Sequence, residues 1–389
     1  MPLKFKLISA ALIGLMLGFM LFPSSSAQRM NKADNQKENR IPLIVAKGNH
    51  YEVGYQIGKQ LKEMLHQTIE IEKEMVKKDS DMTWQKVRAQ AKLFLSYSEQ
   101  HVPQYVEEIR GMADGSGIDF IDLFSEVCEE IYSKDFLARG CSDLIASNDV
   151  TADGSVLAAH NNDTSHRWEK YAVAVHYQVE GEPQIIAVGY GGLAISIGYN
   201  AAGISLTGNE LSMNDMKPGV PRMLLVRKIL AARNLTEAIN ASLLRPRASN
   251  YNMVITDSSG EIYSIEGSAT DYEALYGLEG YLVHTNHYIA PRMRKYELDP
   301  YYITTSIVRY NRADRLMRNN KGKITIEMLK KFLSDHTNYP GSICRHGKKI
   351  KTTFSVIINL SNLKMLLARG NPCQNPFFEY QLEKEEKNN

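Results

Sequence analysis

The chain has 389 residues, enough for one large domain or two ordinary ones, and its 43% hydrophobic and 23% charged content is typical of a folded globular protein. Its 46 Lys and Arg residues nearly balance 44 Asp and Glu residues. Because proteins that bind nucleic acid usually carry a basic surplus, no nucleic-acid partner is expected, although a local basic patch is the alternative.

The first residues have the pattern of an export signal. Two lysines precede an apolar run, residues 7–22, which is followed by a proline and small residues up to Ala27. This run is shorter than the stretch of about 20 residues that spans a bilayer, so cleavage of residues 1–27 is favoured over their retention as an anchor. The protein is therefore expected to be extracytoplasmic, secreted or membrane-anchored through residues 7–22, with residues 28–43 as a polar linker.

Residues 44–140 are predicted to form a helical segment. Apolar side chains recur near helical spacing in residues 51–64, and a second amphipathic run occupies residues 83–95. A third helix is expected over residues 103–109, ending at the three glycines that follow, and a fourth over residues 121–132.

The pattern changes after Cys141, where the hydrophobic period shortens to two and turn signals separate the runs. Strands are predicted at 142–147, 155–159, 171–179, 184–188, 194–199, 204–207, 251–256, 262–265, 353–359 and 363–368. Helices are predicted at 223–232, 236–244, 304–318 and 326–333. Helices first and short hairpins later indicate an α+β fold with sheets packed against helices. A four-layered sandwich fits this order, but the pattern alone does not establish it.

Cys141 lies at the boundary between these two halves, directly after Gly140, a residue type that tolerates strained backbone angles. If the bond between them cleaves itself, Cys141 carries a thiol and an α-amino group, which together make a nucleophile and its base. Asp163 ends the second strand after Cys141. In a hairpin it would lie beside the start of the preceding strand and could orient the amine or thiol, with a plain turn cluster as the alternative.

The other cysteines are Cys128, Cys344 and Cys373, and four in total are too few for a disulfide scaffold. An oxidising compartment would permit a bridge between Cys344 and Cys373, and two buried unpaired thiols are the alternative.

Several motifs together resemble one family. In chain order they are GNHYEVGYQIG at 48–58, RGCS at 139–142, NND at 161–163, TNH at 285–287, SIVR at 306–309, SICRH at 342–346 and GNPC at 370–373. The sequence resembles the acyl-coenzyme A:6-aminopenicillanic acid acyltransferase-like proteins. These are self-processing N-terminal nucleophile (Ntn) hydrolases related to penicillin V acylase and bile salt hydrolase.

The resemblance implies a four-layered αββα sandwich of antiparallel sheets between helical layers, preceded by a helical N-terminal segment. It also implies cleavage between Gly140 and Cys141, which leaves residues 28–140 and 141–389 as two associated fragments. Cys141 would be the nucleophile and its α-amino group the base. A free α-amino group has a pKa of roughly 7.7 to 8.0, so it can accept the thiol proton near neutral pH.

The same resemblance assigns the remaining site residues. Asp163 would hold the new amine, Asn286 and Asn209 would contact the oxyanion, and Arg309 would favour the thiolate. His160 departs from the family pattern, in which glutamine or arginine is common, and Asn162 stands where an aromatic residue is expected. His160 and Asn161 are candidate substrate-binding residues, and His160 is either a pH-sensitive site residue or an ordinary strand residue.

The sequence thus predicts an amidohydrolase that cuts a small linear N-acyl amide through a thioester on Cys141. Transfer of the acyl group to an amine and a catalytically idle binding protein on the same scaffold are the alternatives. No cofactor and no metal are expected. The HTNH run at 284–287 lacks the spacing of a helical zinc motif, the GYGG run at 189–192 lacks the phosphate-binding lysine, and the surroundings of a papain-like cysteine are missing.

Overall fold

The computed structural model describes residues 39–80, 82–132, 140–298 and 303–382. The predicted signal or anchor and the first part of the linker, to residue 38, lie outside the described residues. The packed chain begins before the predicted linker ends at residue 43, because Ile41 is only 1% exposed and belongs to the core. Among the described residues, no helix has both the length and the apolar character needed to cross a membrane.

The elements follow in chain order. The first part contains β1 (Leu43–Gly48), α1 (His50–Gln60), α2 (Lys62–Asp79), α3 (Trp84–His101), α4 (Pro103–Ser116) and α5 (Phe120–Val127). The second begins with β2 (Gly140–Ala146), β3 (Leu157–Ser165), β4 (Ala172–Val179), β5 (Ile185–Tyr190), β6 (Ala194–Asn200), β7 (Ile204–Asn209), α6 (Arg222–Leu230) and α7 (Leu235–Ser242). It continues with β8 (Asn252–Asp257), β9 (Ile262–Gly267), β10 (Tyr272–Tyr276), β11 (Tyr281–His284), α8 (Thr304–Arg318), α9 (Ile326–Leu333), β12 (Ile350–Asn359), β13 (Lys364–Arg369) and β14 (Phe378–Gln381).

The strands form two sheets. The larger has the order β1-β4-β5-β6-β7-β8-β9-β10, and the smaller has the order β11-β2-β3-β12-β13-β14. Neighbouring strands are antiparallel except for β1, which runs parallel to β4. The segment predicted as purely helical therefore also supplies an edge strand of the larger sheet.

Three hydrophobic clusters arrange these elements in four layers. Because successive strand residues point to opposite faces, Val173 and Val175 of β4 pack toward α1–α7, whereas Ala172 and Ala174 pack toward the second sheet. The smaller sheet repeats this arrangement, with Leu144 facing α8 and α9. The result is helices, sheet, sheet and helices, which confirms the predicted α+β αββα sandwich.

The glycines after residue 109 do not all end a helix, as the sequence had suggested. Helix α4 continues to Ser116, and only Gly117, with φ of 73°, caps it in the left-handed region. Gly111 lies where α4 touches α1, since an added Cβ would be 2.0 Å from the Tyr51 carbonyl oxygen. Gly54 of α1 approaches the Glu108 carbonyl oxygen equally closely, so the first sequence motif serves helix packing.

Candidate active site

The β2–β3 hairpin places the candidate nucleophile at the start of an internal strand. Its register pairs Gly140 with Asp163 and Cys141 with Asn162, the arrangement expected from the hairpin interpretation. Cys141 shares a strand face with Ile145, which lies in the core between the sheets. The cysteine is therefore held on a rigid element and faces the interior of the sandwich.

Asn286 contacts Cys141 from two sides. Its Oδ1 accepts a hydrogen bond from the Cys141 backbone nitrogen at 2.8 Å, and its Nδ2 donates to the Cys141 Sγ at 3.2 Å. The same Nδ2 donates to the Glu210 carbonyl oxygen at 3.1 Å. One amide thus fixes both the nitrogen that cleavage would free and the sulfur that would attack.

A second donor reaches the sulfur from the residue that follows β7. The backbone N–H of Glu210 hydrogen-bonds to the Cys141 thiol, and it lowers the pKa of that thiol as Asn286 does. Burial is the larger effect and raises the pKa of Cys141 to about 12. In the uncleaved chain the thiol is therefore protonated, and two N–H groups converge on the place where negative charge would develop.

Arg309, on α8, hydrogen-bonds to the backbone and side chains around the nucleophile. The guanidinium donates to the Cys141 carbonyl oxygen, to the Ser142 Oγ at 2.9 Å and to the Asn286 Oδ1 at 2.8 Å. Burial lowers the pKa of Arg309 to about 10, and the neighbouring Asp163 opposes that shift. Its charge is also attracted to an ionised Cys141, so its predicted role of favouring the thiolate stays a prediction beside its role in positioning.

Asp163 lies beside the bond that would be cleaved. Its Oδ1 accepts from the Thr352 hydroxyl at 2.7 Å, while its buried Oδ2 has no hydrogen-bond partner among the described residues. A Cβ built on Gly140 would be 3.3 Å from that Oδ2 and 2.6 Å from the Arg345 Nη1. Burial raises the pKa of Asp163, and the charges of Arg309 and Arg345 oppose the rise.

Gly140 is suited to this site by its size rather than by unusual backbone angles. It lies in β2 and is not among the glycines with positive φ. The space that a side chain would occupy is taken by the Arg345 guanidinium. The sequence argument from backbone strain is therefore corrected to one from close packing.

Asn209 is buried one residue before the Glu210 backbone donor. Its Oδ1 accepts from the Asn252 Nδ2 at 3.1 Å and contacts the His284 Nδ1 at 2.9 Å. The structure thus gives Asn209 these two partners, whereas Glu210 makes the contact with the sulfur through its backbone.

The structure contradicts the substrate-binding interpretation of His160 and Asn161. Asn161 is fully buried, and its amide donates to the carbonyl oxygens of Leu333 and Ile343 at 2.8 and 2.9 Å, which ties β3 to α9. His160 is also fully buried and contacts Asp143 at 2.7 Å through its Nδ1. Neither side chain lines the cavity that opens at Cys141.

Ser306 is a site residue to which the sequence reasoning gave no role. Its hydroxyl accepts from the Asn286 backbone nitrogen at 2.7 Å and donates to the Thr285 Oγ1 at 2.9 Å. Through these bonds the first turn of α8 holds the turn that carries Asn286. The only sequence signal for this residue is its place three positions before Arg309 in the SIVR motif.

A cleft of about 900 Å³, including the part open to solvent, begins at Cys141. Its walls contain aromatic and acidic side chains, namely Tyr132, Trp168, Tyr190, Tyr251, Glu72, Glu126, Glu129, Asp163 and Glu210. The one basic residue among the described lining residues, Arg222, donates through its Nε to Glu129 at 2.7 Å. The described lining residues therefore include more acidic than basic side chains.

Two of these acids are buried together on neighbouring helices. Glu72 of α2 is 5% exposed and Glu126 of α5 is 6% exposed. The Glu126 Oε2 is buried without a hydrogen-bond partner among the described residues. Burial, followed by repulsion from Glu72, raises the pKa of Glu126 to about 8.

A buried cysteine at the start of an internal strand, inside an αββα sandwich, defines the Ntn-hydrolase class of fold. The chain belongs to the acyl-coenzyme A:6-aminopenicillanic acid acyl-transferase family, whose sequence model matches residues 150–374. That match contains Asp163, Asn209, Asn286 and Arg309 and begins after Cys141.

Two characterised relatives share 24% identity with the chain. One is the acyl-coenzyme A:6-aminopenicillanic-acid-acyltransferase 40 kDa form of Emericella nidulans, similar over 324 residues, which are 82% of this chain and 88% of that protein. The other is the beta-alanyl-dopamine/carcinine hydrolase of Drosophila melanogaster, similar over 229 residues, which are 52% of this chain and 57% of that protein.

Two solved structures are similar at 12% identity. A variant of the conjugated bile acid hydrolase from Clostridium perfringens has a TM-score of 0.40 and covers 63% of this chain and 98% of its own. Penicillin V acylase from Agrobacterium tumefaciens has a TM-score of 0.43 and covers 63% of this chain and 87% of its own.

Proposed function

We propose that the protein is a self-cleaving cysteine amidohydrolase that acts on linear N-acyl amides. The observation that carries this proposal is the two-sided contact of Asn286 with the Cys141 nitrogen and sulfur. Any buried backbone nitrogen needs an acceptor, but an ordinary buried cysteine has no need for two N–H donors on its sulfur. A nucleophile whose nitrogen becomes its base needs both.

Maturation would begin with attack of the Cys141 thiol on the Gly140 carbonyl carbon. The bond from that carbon to the Cys141 nitrogen breaks, the nitrogen takes up the thiol proton, and the acyl group now sits on sulfur as a thioester. Water then hydrolyses the thioester and leaves a Gly140 carboxylate and a free Cys141 α-amino group. Asp163, whose Oδ2 lies beside Gly140, would hold the new ammonium form of that amine.

Turnover would repeat the same chemistry on an external amide. The free α-amino group takes the thiol proton, the sulfur forms a thioester with the substrate acyl group, and the amine leaves with the proton. The N–H groups of Asn286 and Glu210 would stabilise the oxyanion, and water would then release the acid. The two fragments would stay associated, because β1 of the first pairs with β4 of the second.

Transfer of the acyl group to an amine is the second candidate, favoured by the name of the Emericella nidulans relative. Transfer differs from hydrolysis only in whether an amine or water attacks the thioester. The predicted extracytoplasmic location, which stays an expectation, favours water over a coenzyme A donor because coenzyme A is largely intracellular. Turnover of one amide with and without an added amine separates hydrolysis from transfer by the product that accumulates.

We also propose that the acyl half of the substrate carries a positive charge. The buried pair Glu72 and Glu126 lines the same cleft as Cys141, and a cation between the two carboxylates would relieve their mutual repulsion. The aromatic walls Trp168 and Tyr190 add surfaces that attract cations. The name of the Drosophila melanogaster relative contains a beta-alanyl group, an acyl group that ends in an ammonium.

A matched substrate pair tests both proposals. β-Alanyl and butanoyl amides of the same aromatic amine have similar size, but only the first carries an ammonium group. We expect kcat/KM to be higher for the β-alanyl amide, and we expect Glu126→Gln to remove most of that preference. Cys141→Ala should abolish cleavage of both amides, while Cys128→Ala, which changes a buried cysteine outside the cleft, should not.

The possible outcomes separate the two claims. Equal turnover of both amides would reject the cationic acyl group and retain the hydrolase. A preference for a charge on the amine half would reject the assignment to the acyl half. Absence of any acyl-enzyme on Cys141 with either amide, in fully cleaved protein, would indicate an idle binding protein and reject the enzyme itself.

A further inference from the structure

Four metal-ligand side chains that do not line the substrate cleft meet at one point. They are His336, Cys344, His346 and Cys373, and one ligand atom of each lies within 4.8 Å of all the others. The first three belong to the segment between α9 and β12, and Cys373 belongs to the turn after β13. The cluster therefore joins two separate segments of the chain.

The contacts within the cluster are too many for hydrogen bonding alone. The His346 Nε2 lies 3.3 Å from the Cys344 Sγ, 3.4 Å from the Cys373 Sγ and 3.1 Å from the His336 Nε2. One imidazole nitrogen can donate a single hydrogen or offer a single lone pair. The His346 Nε2 has three such neighbours, and this arrangement is explained if the nitrogen and its three neighbours all face one metal ion.

The separations fit a tetrahedron around zinc. With Zn–S bonds of about 2.3 Å and Zn–N bonds of about 2.0 to 2.1 Å, tetrahedral ligands lie about 3.8 Å apart for two sulfurs, 3.6 Å for sulfur and nitrogen, and 3.3 Å for two nitrogens. The two sulfur atoms, of Cys344 and Cys373, are 3.6 Å apart, and the three contacts of the His346 Nε2 differ from these values by only a few tenths of an ångström. The two remaining separations, from His336 to the sulfur atoms, are within 4.8 Å.

We propose that His336, Cys344, His346 and Cys373 bind one zinc ion in a structural Cys₂His₂ site. Two thiolates and two imidazoles in a tetrahedron are a typical zinc ligand set, and four protein ligands leave no open position for catalysis. This site replaces the sequence expectation of no metal. It also gives Cys344 and Cys373 a shared role without the disulfide that the sequence left open, and Cys373 is exposed rather than buried.

The zinc would position Arg345 at the self-cleavage site. Arg345 lies between two of the ligands, its backbone nitrogen donates to the Thr352 Oγ1 at 2.9 Å, and Thr352 in turn donates to Asp163. The guanidinium packs against Gly140. Asn371 supports the site from outside, since its Nδ2 donates to the Cys344 Sγ at 3.4 Å and to the Arg345 carbonyl oxygen at 2.8 Å.

The test is the metal content of the full chain, purified without chelators from medium that contains zinc. We expect one zinc per chain in the wild type and in Cys128→Ser, and close to none in Cys344→Ser and Cys373→Ser. X-ray absorption on the wild type should show two sulfur neighbours at about 2.3 Å and two nitrogen neighbours at about 2.0 Å. The absorption measurement uses only the wild type, so it does not depend on whether the variants fold.

Three results would overturn the proposal. They are wild-type protein without stoichiometric metal, stoichiometric binding of a different metal, and an intact mass under non-reducing conditions that shows Cys344 and Cys373 joined as a disulfide. If the site positions Arg345, the zinc-free variants should also cleave themselves more slowly than Cys128→Ser. Equal self-cleavage rates would reject the role of zinc in positioning Arg345. The metal content would still decide whether the zinc site exists.

Discussion

Asn286→Asp keeps the shape of the side chain but removes both hydrogen bonds that the Nδ2 donates, to the Cys141 Sγ and to the Glu210 carbonyl oxygen. The retained Oδ1 can still accept from the Cys141 nitrogen and from Arg309, while the donor that lies 3.2 Å from the Cys141 Sγ is lost. Loss of one oxyanion donor costs about 10²- to 10³-fold in kcat, or about 2.7 to 4 kcal/mol. The added negative charge acts in the same direction, because it disfavours a thiolate.

The assay is kcat on an amide that the wild type cleaves, divided by the fraction of chains that mass spectrometry shows to be cleaved. That division separates slow maturation from slow turnover. Asn209→Asp provides the comparison, because the Asn209 amide contacts Asn252 and His284. A kcat for Asn286→Asp within a few-fold of the wild type would refute the donor role. An equal loss in Asn209→Asp would support the predicted oxyanion contact of Asn209, whose buried Nδ2 has no hydrogen-bond partner among the described residues.

Three further predictions concern cleavage, charge and packing. Gly140→Ala should fold but cleave itself more slowly, because its Cβ would meet the Arg345 guanidinium at 2.6 Å; a time course by mass spectrometry that matches the wild type would contradict this. Because burial raises the pKa of Glu126 from 4.5 to about 8, the folded protein keeps a proton that the unfolded chain loses in that window. The free energy of unfolding without substrate should therefore fall as pH rises from 4.5 to 8. Glu126→Gln should make that fall smaller, as measured by thermal denaturation across this pH range. The same pH profile in Glu126→Gln and the wild type would show that Glu126 titrates normally. Gly54→Ala should destabilise the protein by about 1 to 3 kcal/mol in urea unfolding, because its Cβ would lie 1.8 Å from the Glu108 carbonyl oxygen. Gly154→Ala is the control: its Cβ would have no atom within 4 Å, so only the positive φ of this residue should lower the stability.

Elements with strong periodicity were predictable from the sequence. The helices at 304–318 and 326–333 match the structure at both ends, and most strands between Cys141 and residue 267 differ by only a few residues. Strands β11 and β14 have four residues each, too few to display a period, and β10 is a largely exposed edge. The end of α4 was misplaced because a glycine that packs against another helix has the same sequence signal as one that ends a helix.

The site was predictable only in part, for a similar reason. Pairing of the strand ends follows from the hairpin, so Asp163 beside Gly140 could be foreseen from residues alone. The placements of Asn286 and Arg309 came from the family resemblance, since they are more than 140 residues from Cys141. His160 and Asn161 were misassigned because side-chain direction at a strand end depends on register and on what packs above each face.

The metal-ligand cluster and the acidic pair lie beyond what local sequence patterns can show. The four ligands span residues 336–373 and match no compact zinc motif. Glu72 and Glu126 belong to different helices, where each looks like an ordinary solvent-facing acid. Only their packing around the cleft distinguishes them from other acidic residues.

The central claim is that residue 141 becomes the first residue of a separate fragment in the working protein. N-terminal sequencing together with intact mass of purified, active material tests it directly and also reports whether residues 1–27 are removed. The account predicts two fragments, one of which starts at Cys141, and a single uncleaved chain for Cys141→Ala. Full amide turnover by wild-type protein in which the bond from Gly140 to Cys141 is intact would contradict the account.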